Sequence, residues 1–178
     1  TANWATDVGP VIDRSAFDGI QQHIQRLKSS SKVLLAQDTP AQAATNLIAP
    51  HAFELQQVSD VAQEIFGPVL HVVRWSGDPL AVIEQVNALG YGLTMGIQTR
   101  IDSRAHSLAA AAHIGNVYIN RNTIGAVVGV QPFGGEGLSG TGPKAGGPHY
   151  LLRSCAEQTV TVNPPAAGGN AALLAAMP

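Results

Sequence analysis

From Asp13 onward, Ala16, Phe17, Ile20, Ile24 and Leu27 recur at spacings of three and four, which places them along one side of a helix ending near Ser29 to Ser31. Asp13 is suited to cap its start, because a short carboxylate can accept from a free first-turn amide. Lys32–Ala36 then reads as a short strand and residues 46–50 as another; residues 37–45 are polar and Ala-rich without a period, the pattern of a loop. Val69–Val73 is an apolar, β-branched run bounded by Gly67-Pro68 and by Gly77-Asp78-Pro79, which predicts a strand buried on both faces. Asp78 as N-cap, with Pro79 in the first turn, opens a helix that turns Leu80, Ile83, Val86 and Leu89 inward, and Gly90 can take the left-handed closing position. Residues 93–99 follow as a strand. Asp102 repeats the capping logic for a helix carrying Ala105, Leu108, Ala109 and Ala112, closed by Gly115, after which residues 116–120 are strand-like. Strands alternating with helices predict an α/β fold, a mostly parallel sheet with helices on both faces.

The texture changes after Asn120. Between Gly125 and Gly147 lie nine glycines and two prolines, too many for the interior of a regular element, so residues 125–147 read as a structured loop or a ligand-contacting surface. A further strand is expected at residues 158–162. The small-residue end has little to bury by itself and is expected to pack on a partner or stay loose. The organisation expected is one unit over residues 1–163 and a tail over 164–178.

The chain has 178 residues, enough for one domain with a proper core. A net charge of -2 without any Lys/Arg cluster leaves nothing to neutralise a phosphate backbone or an acidic membrane surface, so nucleic acid is not an expected partner. The apolar runs fall far short of the roughly 20 residues that cross a bilayer, and the first residues lack a basic-then-apolar signal. A soluble, cytoplasmic protein is expected. Thr1 stands where a complete chain would carry Met, which suggests a piece of something longer.

Candidate chemistry is sparse. The single cysteine, Cys155, excludes an internal disulfide and a multi-thiolate metal site. Its neighbour Arg153 could lower its pKa, but no activating setting surrounds it, and it reads as a free thiol. The six histidines, His23, His51, His71, His106, His113 and His149, lack the spacing of paired ligands, so no metal is expected and His71 reads as a satisfied core residue. Gly135 to Gly140 match G-x-G-x-x-G, and residues 137–144 miss a P-loop by one position. A working fingerprint follows a strand and opens a helix, whereas here Gln131-Pro132-Phe133 precede and Thr141-Gly142-Pro143 follow, so a turn-rich loop is the better reading. On spacing alone Glu64 is a solvated carboxylate in a turn, and Phe66 is core.

Taken together, Glu64-Ile65-Phe66-Gly67-Pro68-Val69 and, downstream, Pro132-Phe133-Gly134-Gly135 with Ser139-Gly140 resemble the two downstream signature motifs of the aldehyde dehydrogenase superfamily. The longer string from Val117 to Leu151 is most similar to the L-glutamate γ-semialdehyde (1-pyrroline-5-carboxylate) dehydrogenase module of the proline utilization A family. The resemblance implies NAD-dependent oxidation of glutamate semialdehyde to glutamate, in which a cysteine thiolate attacks the aldehyde and hydride passes to the nicotinamide. It places Glu64 on the nicotinamide-ribose hydroxyls and Phe66 beside the nicotinamide. Gly146 and Gly147 fall where the family anchors the substrate's α-carboxylate. Ser154 falls where the family usually lines the aldehyde pocket with an aromatic residue, a departure that affects substrate fit.

In that family the nucleophilic cysteine, the general-base glutamate and the dinucleotide-binding domain all lie upstream of the point where this sequence begins, and Cys155 does not match the nucleophile. No catalytic residue is therefore expected here, and the chain is expected to be inert alone. The partners implied are the upstream remainder of the enzyme, a small aldehyde and further copies in a homo-oligomer; FAD would belong to a proline dehydrogenase domain outside this chain. Two other readings remain at this point: a non-catalytic assembly module of the same fold, and a dehydrogenase for another semialdehyde.

Overall fold

Helix α1 (Arg14–Ser30) forms where the three-and-four spacing places it, and its first turn is closed by Asp13, whose Oδ1 accepts the Ala16 N–H at 2.8 Å. The computed structural model describes residues 7–39, 46–124, 127, 129–163 and the isolated positions 166, 168, 170, 172, 175 and 176. Ile20, Ile24 and Leu27 of α1 meet Ile48, Phe53 and Leu55 in the first hydrophobic core. Each such side chain withdrawn from water contributes about 1.5–3 kcal/mol.

Beneath α1 lies a three-stranded sheet of β1 (Lys32–Ala36), β2 (His51–Leu55) and β3 (Val69–Val73), in that order, with β1 antiparallel and β3 parallel to β2. The second strand begins just after residues 46–50, where the sequence pattern had put it. Pro50 has no N–H to give a ladder, and the first bond of the β2 edge is the His51 N–H to the Pro68 carbonyl at 3.0 Å. Two polar residues disguise this strand. His51 Nδ1 is spent on the Ala49 carbonyl at 2.8 Å, and the Glu54 carboxylate pairs with Arg74 at 2.8 Å and Lys32 at 3.3 Å. Strand β3 is half-buried rather than covered on both faces, and Leu70 is 62% exposed.

Helix α2 (Pro79–Ala88) starts as expected, with Asp78 Oδ1 accepting the Leu80 N–H at 2.9 Å, and ends at Gly90, whose φ of 77° needs a residue without a Cβ. A short strand β4 (Tyr91–Gly92), strand β5 (Thr94–Ile97), helix α3 (Asp102–Ala111) and strand β6 (Asn116–Ile119) follow, with β5 and β6 paired in parallel. Asp102 is not the cap of α3. Ile101 occupies that position after a turn in which Thr99 Oγ1 accepts the Ile101 N–H at 3.2 Å, and the Asp102 carboxylate lies 3.5 Å from His106 Nε2 instead. Ile83, Ile97 and Leu108 form a second core between α2, β5 and α3.

The α/β class read from the alternation of elements is what the chain displays, with its parallel pairings divided between two sheets. A third, antiparallel pair joins β4 to β7 (Glu136–Gly137) in the Gly-rich loop. The strand expected at residues 158–162 does not form: this stretch is exposed, with Val160 at 73% and Val162 at 72%. Its alternation would be satisfied only against a partner strand, which the described residues do not provide. The expectations for residues 40–45, for Gly125 and for most of the tail fall outside the described residues. Among the described residues no helix is long and apolar enough to cross a membrane.

Candidate functional site

The segment carrying Glu64 and Phe66 runs from the end of a 3-10 turn (Val58–Asp60) into β3. Ile65 packs against the first core, which turns its neighbours outward: Glu64 is exposed and Phe66 is 84% exposed. The core reading of Phe66 is thereby overturned. A phenyl ring left in water by two flanking anchors is an unusual expense for a folded chain unless something covers it.

The second motif approaches from the other side. Strand β7 pairs with β4 in the register Tyr91 to Gly137 and Gly92 to Glu136, and Ser139 Oγ accepts the Gly92 N–H at 3.0 Å. Glu64, Tyr91 and Ser139 consequently share the rim of one open cleft of about 370 Å³, whose wall is apolar and includes Val86, Leu89, Leu93 and Met95. The Tyr91 hydroxyl also reaches the Glu64 N–H at 3.5 Å. An acceptor-only carboxylate above an apolar wall suits a ligand that brings hydroxyl donors on a flat or apolar body.

The matched glycine pattern of residues 135–140 is a tight turn and not a phosphate cradle. Glu136 and Gly137 are in a strand, the Ser139 N–H donates to the Glu136 carbonyl at 3.0 Å, and no helix begins there. The turn is pressed against β6: a Cβ on Gly115 would overlap the Gly134 carbonyl oxygen.

Gly146 and Gly147 follow directly on a bridge between Phe133 and Ala145, with N–H to O distances of 3.1 and 2.9 Å. Gly146 has φ 71° with open space where a Cβ would stand, and the Gly147 N–H donates to the Lys144 carbonyl at 3.0 Å. Ser154 ends an exposed 3-10 turn (Leu151–Ser154) whose Arg153 lies over Gly142 and 3.5 Å from Thr141 Oγ1. Cys155 is exposed beyond that turn, its Sγ 3.5 Å from the Leu151 carbonyl, and is not among the residues lining the cleft. Among the described residues no group of three metal-ligating side chains exists.

His71, read as a satisfied core residue, is half-buried with its Nε2 2.8 Å from His23 Nε2. A larger cleft of about 910 Å³ at the end of α1 is polar, and in it the Glu54 carboxylate is spent on Lys32 and Arg74. Hydrogen bonding to Arg74 holds the Glu54 carboxyl below its ordinary pKa. Tyr91, Asn116 and Lys144 were not singled out from the sequence. The available signal was Asn116, a polar residue at the first position of an otherwise apolar strand.

An α/β chain that brings these two motifs to one cleft belongs to a known class: the chain is a member of the aldehyde dehydrogenase family, whose family model matches residues 1–160. Its relatives narrow this further. Bifunctional protein PutA of Escherichia coli (strain K12) is 50% identical over 160 residues, which cover 86% of this chain and 12% of that protein. A proline utilization A (PutA) variant from Bradyrhizobium japonicum superposes with a TM-score of 0.82 at 50% identity, over 89% of this chain and 16% of that one. A 1-pyrroline-5-carboxylate dehydrogenase from Thermus, solved with bound NAD, gives a TM-score of 0.71 at 35% identity over 81% of this chain and 28% of that one. The chain thus spans only 12% of the length of the PutA protein it matches.

Proposed function

We propose that this chain supplies the nicotinamide-side and substrate-anchoring parts of an NAD-dependent L-glutamate γ-semialdehyde dehydrogenase, which oxidises the semialdehyde to L-glutamate in the cytoplasm. The observation that carries the reading is the meeting of Glu64 and Ser139, from two motifs far apart in sequence, on one apolar-walled cleft. NAD, when bound, would accept the hydride. Glu64 would hold its nicotinamide ribose, because a carboxylate can accept from two hydroxyls at once, and the exposed ring of Phe66 would be covered by the nicotinamide and restrict its swing.

Gly146 and Gly147 would receive the α-carboxylate of the substrate through backbone N–H groups, where a side chain would block approach. An incoming carboxylate has to compete with the Lys144 carbonyl for the Gly147 N–H, so the anchor tightens at the expense of one turn bond. Ser154, small and polar, would leave a wider wall than an aromatic residue. Cys155 has neither the position nor the setting of a nucleophile, and the attacking thiolate would come from the upstream remainder of the enzyme. Residues 1–163 would form the catalytic part and residues 164–178 a tail that contacts a partner, in a homo-oligomer.

The test is complementation. Purified alone and given glutamate semialdehyde and NAD, the chain is expected to form no NADH. Mixed with a separately produced upstream segment bearing the cysteine, it is expected to restore aldehyde-dependent NADH formation. Turnover by the chain alone would sink the reading, and a mixture that assembles but never turns over would favour a non-catalytic assembly module.

A further inference from the structure

Residues 132–134 form a three-residue extended piece whose two edges are both occupied. On one edge, Phe133 exchanges N–H and carbonyl bonds with Ala145, at 3.1 and 2.9 Å. In an extended chain successive peptide groups point to opposite sides, so the Pro132 carbonyl and the Gly134 N–H face the other edge. There no strand is found among the described residues. A single side chain fills the place: Asn116 Nδ2 donates to the Pro132 carbonyl at 3.0 Å, and Asn116 Oδ1 accepts the Gly134 N–H at 3.2 Å. A carboxamide carries one donor group and one acceptor on a planar unit, as a peptide does, and so it can replace a neighbouring strand for the length of one residue.

Asn116 is itself held. It is the first residue of β6, it is buried at 9% exposure, and its own N–H donates to the Leu93 carbonyl at 3.0 Å. Beside it, Lys144 Nζ donates to the Gly115 carbonyl, and a Cβ on Gly147 would lie 3.3 Å from the Pro132 Cβ. A continuous path of hydrogen bonds therefore leads from β6 through the Asn116 amide to Pro132–Gly134, across the bridge to Ala145, and along the chain to the next two residues, Gly146 and Gly147.

We infer that Asn116 is a positioning residue for substrate specificity, fixing the Gly146–Gly147 loop at the height where it meets the substrate's carboxylate. The inference rests on the reading of that loop as the carboxylate anchor. Asn is chemically required here, since Asp would put two acceptors where one must donate, and Leu would satisfy neither group.

The test uses the assembled enzyme with Asn116→Leu, and with Asn116→Asp should the first fail to fold. The KM for glutamate semialdehyde and the inhibition constant for L-glutamate should both rise about tenfold or more, because a displaced positioning group loses binding steeply. Activity on propanal, which has no carboxylate, should stay within about threefold of wild type. Equal losses on both aldehydes, or no change on either, would overturn the inference. If the wild-type enzyme shows no preference for the amino-acid aldehyde over propanal, the carboxylate reading itself fails. Amide exchange at Phe133 and Ala145, followed by NMR, then decides the positioning role: faster exchange in the Leu variant supports it and unchanged exchange refutes it.

Discussion

Acidification should loosen the attachment of α1 to the sheet through the His23–His71 pair. The protons on this pair can be assigned from their partners. The Arg26 guanidinium only donates, and its NH2 lies 3.1 Å from His23 Nδ1, so the single proton of neutral His23 sits on Nε2 and is donated to His71 Nε2 at 2.8 Å. Neither ring can take a second proton without setting two N–H groups against each other. Burial first, and then His71 and Arg26, lower the His23 pKa from 6.5 to about 4; burial and Arg26 also lower that of His71. In the unfolded chain both histidines titrate near their ordinary value, so between pH 6.5 and about 4 the unfolded state binds protons that the folded state refuses. Stability is then fully present above that window and is lost as the pH falls through it. At about 1.4 kcal/mol per pKa unit the His23 shift alone corresponds to about 3.5 kcal/mol, and discounting for solvent screening around both partly open rings brings the expected loss to about 2 kcal/mol. Urea unfolding followed by circular dichroism at a series of pH values measures it, with the double variant His23→Leu, His71→Leu as control. Replacing both partners by apolar groups can be nearly neutral at pH 7, and it should flatten the slope. The same slope in wild type and double variant would refute the assignment.

Two further outcomes test the packing. Leu27→Ala, at a site 1% exposed in the first core, should lower the unfolding free energy by about 2–5 kcal/mol with the urea m-value unchanged. Gly115→Ala should drive a methyl into the Gly134 carbonyl, cost about 1–3 kcal/mol and speed proteolysis of the glycine-rich segment, and unchanged cleavage would show that the loop does not rest there.

The parts of this fold that local physics decides were legible in the residues. The stripe of Ile20, Ile24 and Leu27, the Asp78 cap and the closing Gly90 each depend on neighbours within a few positions, and each took the expected form. What escaped depends on distant partners. His51–Leu55 hides as a strand because the Glu54 carboxylate in it is satisfied by Lys32 and Arg74, contacts that no window around it contains. Residues 158–162 have a strand's alternation but no partner strand, and alternation alone does not make a ladder. The glycines of the second motif were visible as a loop, yet their direction is set by Asn116 and by pairing with Tyr91–Gly92. Glu64 and Phe66 could be singled out only through their likeness to a family, because an isolated carboxylate carries no signal of the cleft it borders and an isolated phenylalanine none of its exposure.

The three-stranded sheet has a bearing on how the molecule behaves in company. Its middle strand is β2, so among the described residues neither outer rim carries a further strand, and Val33, Leu34 and Leu35 on β1 are each more than 40% exposed while Leu70 on β3 is 62% exposed. Such rims recruit backbone as readily as side chains. A strand laid along either one would gain main-chain bonds and cover apolar side chains in a single step.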